Sequence, residues 1–398
     1  MPNSASSNLV KLAFIKETTY GETPVAGNFS TARFTSEALS GSPQTVESKQ
    51  IRVDRMSSGQ IVTGLDVQGQ LSYELAKEAA LEGFMESALY NTFQTQALVT
   101  VDLEIDTVNK EITRATGNWT TASLEKGDIL NLAGFSNSVN NTQVMITEIV
   151  SATVIKYVGS VSMVDEVGTG TTYKRLDKLT IGTSKQSYSI EKIFTDLTTK
   201  AINYKGMVAG TMDLNVSYGE LITGTFGFFG NETNIVNAAI DMITNGRTIN
   251  APATTQTFNG SIDMPYLASA AIGAFGPSDF SIKSLALKLD NQLTAQTVIG
   301  RTAPRDYTTG TCKIDIDLSA YLDDSSWSVL PKKLTQDPFE LGFMLKNSGG
   351  VYGFYIPALQ VSFDDPNSAG QNQDVMLSMR GMAKVGSNGE SALVIYKL

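Results

Sequence analysis

The chain has 398 residues, enough for two or three domains and a sizeable core, and it is acidic, with 40 Asp and Glu against 30 Lys and Arg and a net charge of −10. It has no histidine, which removes Ser-His-Asp and Cys-His nucleophiles, His-ligated zinc and imidazole acid–base chemistry, and its one cysteine, Cys312, excludes an intrachain disulfide framework. The acidic balance also argues against a tight grip on nucleic-acid phosphates, which needs clustered Lys and Arg.

Residues 1–40 are polar and rich in small side chains. The opening M-P-N-S-A-S-S-N lacks the basic stretch and apolar core of a secretory signal, so the chain is expected to be made and kept in a cytoplasm. No apolar run reaches the roughly 18–20 residues that span a bilayer. Residues 32–39 read as a short strand. Residues 41–60 are charged, with little apolar character, and read as a long loop of the kind that often carries function.

Ile61–Leu75 is the clearest strand. Its odd positions (Ile61, Thr63, Leu65, Val67, Gly69, Leu71, Tyr73, Leu75) are mostly apolar, and its even positions from Gly64 on (Asp66, Gln68, Gln70, Ser72, Glu74) are polar. Successive strand side chains point to opposite faces, so one dry and one wet face are expected. An amphipathic helix follows over Lys77–Tyr90. Leu81, Phe84, Met85, Ala88 and Leu89 share one side, and Lys77, Glu78, Glu82 and Glu86 take the other. The apolar side is expected to pack on the dry face of a sheet.

Residues 95–178 break into short β-like runs separated by turn signals such as Asn140-Asn141 and Gly168-Thr169-Gly170. They read as a small all-β domain inserted in a larger one, because longer strands resume at 189–197, 204–218 and 221–230. In the second of these, Val208, Met212, Leu214 and Val216 alternate with Thr211, Asp213, Asn215 and Ser217. Residues 231–276 read as a polar connector.

The second half repeats the first. A strand over Phe280–Asn291 leads into a charged loop, 292–310, and then into a second alternating strand, Thr311–Tyr321. There Cys312, Ile314, Ile316, Leu318 and Ala320 alternate with Thr311, Lys313, Asp315, Asp317 and Ser319. Residues 325–334 stand where the helix stood, with Pro331 shortening or distorting it. Strands at 338–347, 351–363 and 373–383 complete the copy. The pattern predicts a tandem duplication. The expected division is 1–94 and 179–232 for the first module, 95–178 for the insert, 233–276 for the connector and 277–398 for the second module.

Phosphate-loop, dinucleotide, nucleophile-elbow and zinc-protease motifs are all missing. Asp315 and Asp317 share a face with Lys313 and Thr311, which favours a solvated polar face over a metal or acid–base pair. The stretch from Asp364-Asp365-Pro366-Asn367 to Asp374 offers oxygen ligands without EF-hand spacing, and a polar turn accounts for it equally well. Lys49, Arg52 and Arg55 are offset by Glu47 and Asp54, which favours a contact between subunits over a simple solvated loop, with DNA binding last. A polysaccharide hydrolase would need aromatic residues around an acid pair, and neither Trp119 nor Trp327 adjoins one. The residues call for no cofactor, no metal and no catalytic site.

The opening I-K-E-T-T-Y-G-E-T-P, the strand L-D-V-Q-G-Q-L-S-Y-E-L and the run from Tyr204 to Gly230 resemble the tail tube (major tail) proteins of bacteriophages with long, non-contractile tails. L-K-L-D-N-Q-L-T-A-Q-T-V-I-G in the second half does so too. The segment from Gly127 to Val150 looks like the small β-domain that some members carry. The resemblance implies a mainly β fold of two tandem tail-tube β-sandwich modules, each a half-barrel with a flanking helix, plus the inserted all-β domain. It implies a structural virion protein that self-assembles into stacked rings and conducts genome DNA. With two modules per chain the rings would be trimeric with pseudo-sixfold symmetry, assembled in the host bacterial cytoplasm. Implied partners are further copies of the chain, the tape measure protein, DNA passing without tight binding, and terminator and distal tail proteins at the ends, with no membrane. On this reading Asp66, Gln68, Gln70, Ser72, Glu74, Thr311, Lys313, Asp315, Asp317 and Ser319 line the lumen. Lys49, Arg52, Asp54, Arg55, Arg301 and Arg305 lie on the loops expected to join stacked rings. The alternative is a tail terminator or a host-surface-binding virion β-protein.

Overall fold

The computed structural model describes residues 4–57, 59–120, 123–159, 162–271, 281–327, 329–368 and 370–398. The chain is mainly β. In the first half, β1 (Val10–Lys16), β2 (Ser40–Glu47) and β3 (Gln60–Glu74) precede helix α1 (Ala79–Leu89). After an excursion through residues 98–175 come β4 (Asp177–Thr180), β5 (Tyr188–Phe194), β6 (Lys200–Ser217), β7 (Thr223–Gly230) and β8 (Glu232–Val236). The second half holds β9 (Tyr266–Ala271), β10 (Ile282–Asp290), β11 (Lys313–Tyr321), the short helices α2 (Asp324–Trp327) and α3 (Lys332–Thr335), β12 (Phe339–Asn347), β13 (Gly350–Ser362), β14 (Met376–Ala383) and β15 (Val394–Lys397). The expected start of β10 at Phe280 lies outside the described residues.

The alternating strands form one antiparallel inner sheet across both halves, in the order β2-β3-β7-β6-β10-β11-β14-β13. β6 and β13 are long enough to leave this sheet and enter a second layer. The N-terminal part of β6 pairs with β5 and β8, and β5 pairs with β1. The N-terminal part of β13 pairs in the same way with β12 and β15, and β12 pairs with β9. Each half is thus two sheets face to face, with the same strand order and the same division of its longest strand.

The dry faces meet between the layers. Val67, Leu71 and Tyr73 of β3 are buried, as are Ile314, Ile316, Leu318 and Ala320 of β11. α1 closes the first sandwich through Phe84, whose ring lies 5.0 Å from Phe14, 5.4 Å from Tyr188, 5.6 Å from Phe226 and 5.0 Å from Phe228. It therefore touches both layers at once. The helix ends at Tyr90 in the left-handed conformation. Asn291, from the second half, donates to the Ala88 carbonyl at 2.8 Å, satisfying one of the acceptors that a helix C-terminus leaves open. In the second half α2 and α3 replace this helix, and Pro331 caps α3 where its missing N–H costs nothing.

Several sequence expectations are corrected. Residues 41–47 are not loop. They form most of β2, an edge strand hydrogen-bonded along β3 and lacking an apolar stripe because most of its side chains are exposed. The connector 231–276 contains β8 and β9, and 292–310 holds a small hairpin pairing Thr294–Gln296 with Asp306–Thr308. The dry face of β3 begins at Val67. Ile61 and Thr63 are exposed, because there β3 and β2 run on as a two-stranded ribbon beyond the sandwich. Glu78, expected on the solvent side of the helix, is buried and paired with Arg33 at 3.2 Å.

Residues 98–175 make a separate eight-stranded sheet with its own core around Trp119, Leu132, Val144, Ile146 and Tyr173. Although the segment leaves from the first half, it packs on the second. Ile129, Met145 and Val158 lie against Met344, Val351, Tyr355, Val394 and Tyr396. A buried carboxylate fixes the seam. Asp128 accepts from the Tyr396 hydroxyl at 2.9 Å and pairs with Arg175 at 3.1 Å and Lys178 at 3.3 Å. Lys126 reaches Glu340 of β12 at 2.9 Å.

Candidate functional site

The wet faces of the eight inner strands make one shared surface, mostly polar and interrupted by Phe229, Ala286 and Met382, because register puts like face beside like face. Ser72 of β3 stands opposite Thr225, Thr225 opposite Asp213, Asp213 opposite Lys288, and Lys288 opposite Asp315. Six carboxylates occupy this surface across the paired strands: Asp66, Glu74, Asp213, Asp290, Asp315 and Asp317. Three cations join them: Lys288, Lys313 and Arg380.

Each of the three cations is held by a carboxylate of the same surface. Lys288 pairs with Asp317 at 2.8 Å, Arg380 with Asp317 at 3.2 Å, and Lys313 with Asp315 at 2.9 Å. The Lys288 hydrogen bond, with help from its charge and from Arg380, holds the Asp317 carboxyl below its usual pKa of 3.8, against a smaller opposing effect of burial. Burial pushes Asp213 upward, only partly offset by Lys288.

The Asp317 shift sets the direction of a pH effect. Its folded value is depressed, so between that value and 3.8 the unfolded chain binds more protons. The stability it contributes is fully present above 3.8 and is lost as pH falls through the folded value. Asp317→Asn is expected to be less stable than the parent at neutral pH, with the gap closing on acidification. Urea midpoints of both proteins from about pH 5 to about pH 2 check this; a gap independent of pH contradicts it.

Of the residues singled out from sequence, Asp66, Gln68, Gln70, Ser72, Glu74, Lys313, Asp315, Asp317 and Ser319 fall on this one surface. Thr311 precedes β11 and is exposed. Asp213, Lys288, Asp290 and Arg380 were not singled out. The alternation of their own strands marks them as solvent-facing, but only the register brings them beside Asp315 and Asp317.

The two long loops behave differently. Residues 48–57 project from the end of the β2–β3 ribbon. Lys49, Arg52, Asp54 and Arg55 are exposed there, and Arg52 clasps Asp54 through its side chain. Ile51, Val53 and Met56 are exposed beside them. The segment 291–310 instead folds onto its own chain. The Tyr307 hydroxyl donates to the Gly230 carbonyl at 2.9 Å, the Leu65 amide donates to Thr302 at 2.8 Å, and Lys185 pairs with Asp306 at 2.7 Å. It shares a depression with Asp66, Gln68 and Phe229, and leaves Arg301 and Arg305 exposed.

Among the described residues, no group of three or more acidic or cysteine side chains is placed to hold a metal ion, and no helix is long and apolar enough to cross a membrane. Cys312 is partly buried against the core, and burial pushes its thiol up to about 11. The arrangement is that of an extended polar surface rather than a reactive pocket.

A search of curated proteins found no match to the chain. A family model described as phage tail tube protein matches residues 7–383, a span that takes in the first sandwich, the segment 98–175 and all of the second sandwich except β15. The chain therefore belongs to the phage tail tube protein family and is a structural component of the phage tail.

Proposed function

We propose that copies of this chain close into rings, and that the rings stack into the tube of a long, non-contractile tail, with the wet face of the inner sheet lining a bore for genome DNA. The observation that carries this reading is an eight-stranded polar face that ends in two incomplete strands. Among the described residues, β2 pairs with β3 alone, and Gln360–Ser362 of β13 pair with β14 alone. Open strand edges are a liability, and closure with further copies removes them. Two repeats per chain favour three chains per ring with pseudo-sixfold symmetry.

The charge of the face suits a conduit. Its carboxylates outnumber its cations, and the cations are held by carboxylates, so passing phosphates meet little to bind. The projecting residues 48–57 and the exposed Arg301 and Arg305 would meet the neighbouring ring. We read 98–175 as an inserted domain on the outside of the tube, because it packs on the outer layer of the second half. Assembly in the bacterial host, around a tape measure protein and between terminator and distal proteins, follows from this role.

Negative-stain electron microscopy of the purified chain tests the reading. Rings or tubes are expected, threefold or pseudo-sixfold in end view, with a bore of roughly 20 Å or more, as duplex DNA requires. Particles that stay single at high concentration and in the presence of tail seeds would reject it.

A further inference from the structure

The two halves of one chain already meet along a strand pair, and that seam is a template for the seam between chains. Inside the chain, β6 of the first half pairs with β10, the first inner strand of the second half, with Thr211 opposite Asp290 and Asp213 opposite Lys288. The strand that corresponds to β6 is β13, and the strand that corresponds to β10 is β2. Among the described residues, neither pairs with a strand on the matching side.

Landmarks in the pairing align the halves residue by residue. β5 and β6 pair through Tyr188–Met207 and Ile190–Tyr204, skipping a bulge between them. β12 and β13 pair through Phe339–Leu359 and Leu341–Ile356, skipping the same bulge. Met207 therefore corresponds to Leu359. A further bulge between Ala209 and Thr211, which β13 lacks, makes Thr211 correspond to Ser362. From that match the pairing carries the correspondence across the inner sheet. Val208–Phe229–Gln68–Ser40 in the first half matches Gln360–Met382–Asp315–Lys288 in the second. Ser40 then corresponds to Lys288, and Ser42 to Asp290.

We infer that β13 of one chain adds to β2 of the next in a single register, with Ser362 opposite Ser42 and Asp364 opposite Ser40. This rests on the ring reading above and specifies its interface. The register keeps faces in order. Ser362 lies on the same side as Arg380, and Ser42 on the same side as Asp66, so the polar surface runs on without a break. It also explains where β13 stops. β6 stays extended to Ser217 with a neighbour on each side, whereas β13 ends at Ser362 and continues as an irregular, largely exposed stretch. A strand without its second neighbour loses half its ladder. Residues 363–365 are expected to become strand on assembly. Pro43, which cannot donate, falls one residue beyond the Ser42 end of the ladder, and Pro366, at the position of Asn215, removes one donor at the other.

Disulfide trapping tests the register. The pair S42C and S362C is placed in a C312S background, the tubes are assembled, and a mild oxidant is added. Directly opposed residues lie within disulfide reach, whereas positions two residues along the strand sit about 7–8 Å away. Cross-linking of S42C/S362C is expected to be on the order of tenfold faster than that of S42C/Q360C or S42C/D364C, for that distance reason. It should end in a closed covalent ring. Tubes in which a shifted pair reacts faster overturn the register while leaving the ring reading intact. Hydrogen exchange on the unsubstituted chain is the second measurement, in case cysteine variants fail to assemble. Amides of 39–42 and 362–365 should gain protection on assembly, and tubes in which they exchange as in the free chain overturn the proposal. Single particles that never form rings overturn both readings.

Discussion

Phe84→Ala is expected to destabilise the unassembled chain by about 3–5 kcal/mol, the usual cost of truncating a fully buried aromatic side chain. Phe84 is 1% exposed and meets rings from β1, β5 and β7, so its loss opens a cavity between two layers that no single neighbour can fill. The effect should extend to assembly, because Phe84 ties the outer layer to the inner sheet. Phe84→Leu should cost less, since it refills part of the volume. Leu334→Ala, at a side chain 85% exposed, serves as the control and should change stability by less than about 0.5 kcal/mol. Urea unfolding measures all three. Equal midpoints for Phe84→Ala and Leu334→Ala would mean that α1 is not the plug of the first sandwich.

Converting Asp315 and Asp317 to lysine should turn a passive bore into one that holds DNA. The substitutions leave four carboxylates (Asp66, Glu74, Asp213, Asp290) facing five cations (Lys288, Lys313, Arg380 and the two new lysines), and they release the three native cations from their partners. Both positions are on the solvent side of β11, so the fold should tolerate them. Assembled tubes of the variant should retain short duplex DNA at low salt. With six to ten phosphate contacts, affinity should fall on the order of 10³–10⁵ between about 50 and 200 mM salt. Parent tubes should retain little at either concentration. DNA inside the bore resists nuclease and DNA on the outer wall does not, so digestion after co-sedimentation locates it. Retained DNA that is fully nuclease-sensitive would place this face on the outside of the assembly.

The sequence alone determined the two-faced character of β3 and β11, the buried side of α1, and the repeated order of elements. Each depends on the spacing of apolar side chains along one strand or one helix turn, which is a local property. Val67, Leu71 and Tyr73 were readable as a dry stripe because nothing but their own alternation places them. β2 was not readable. Ser40-Gly41-Ser42-Pro43-Gln44 has no apolar stripe, and its strand state comes from the ladder it makes with β3. The same holds for the segment 291–310, which is fixed by Tyr307 and Thr302 against β3 and β7. Only tertiary structure decided that residues 98–175 pack on the second half, that Asp128 is the buried carboxylate of that seam, and that Asp317 is shared by Lys288 and Arg380 from two neighbouring strands. These contacts join residues far apart in the chain. Alternation says which way a side chain faces, but register between strands decides what stands beside it, and register is set by pairing over the whole sheet.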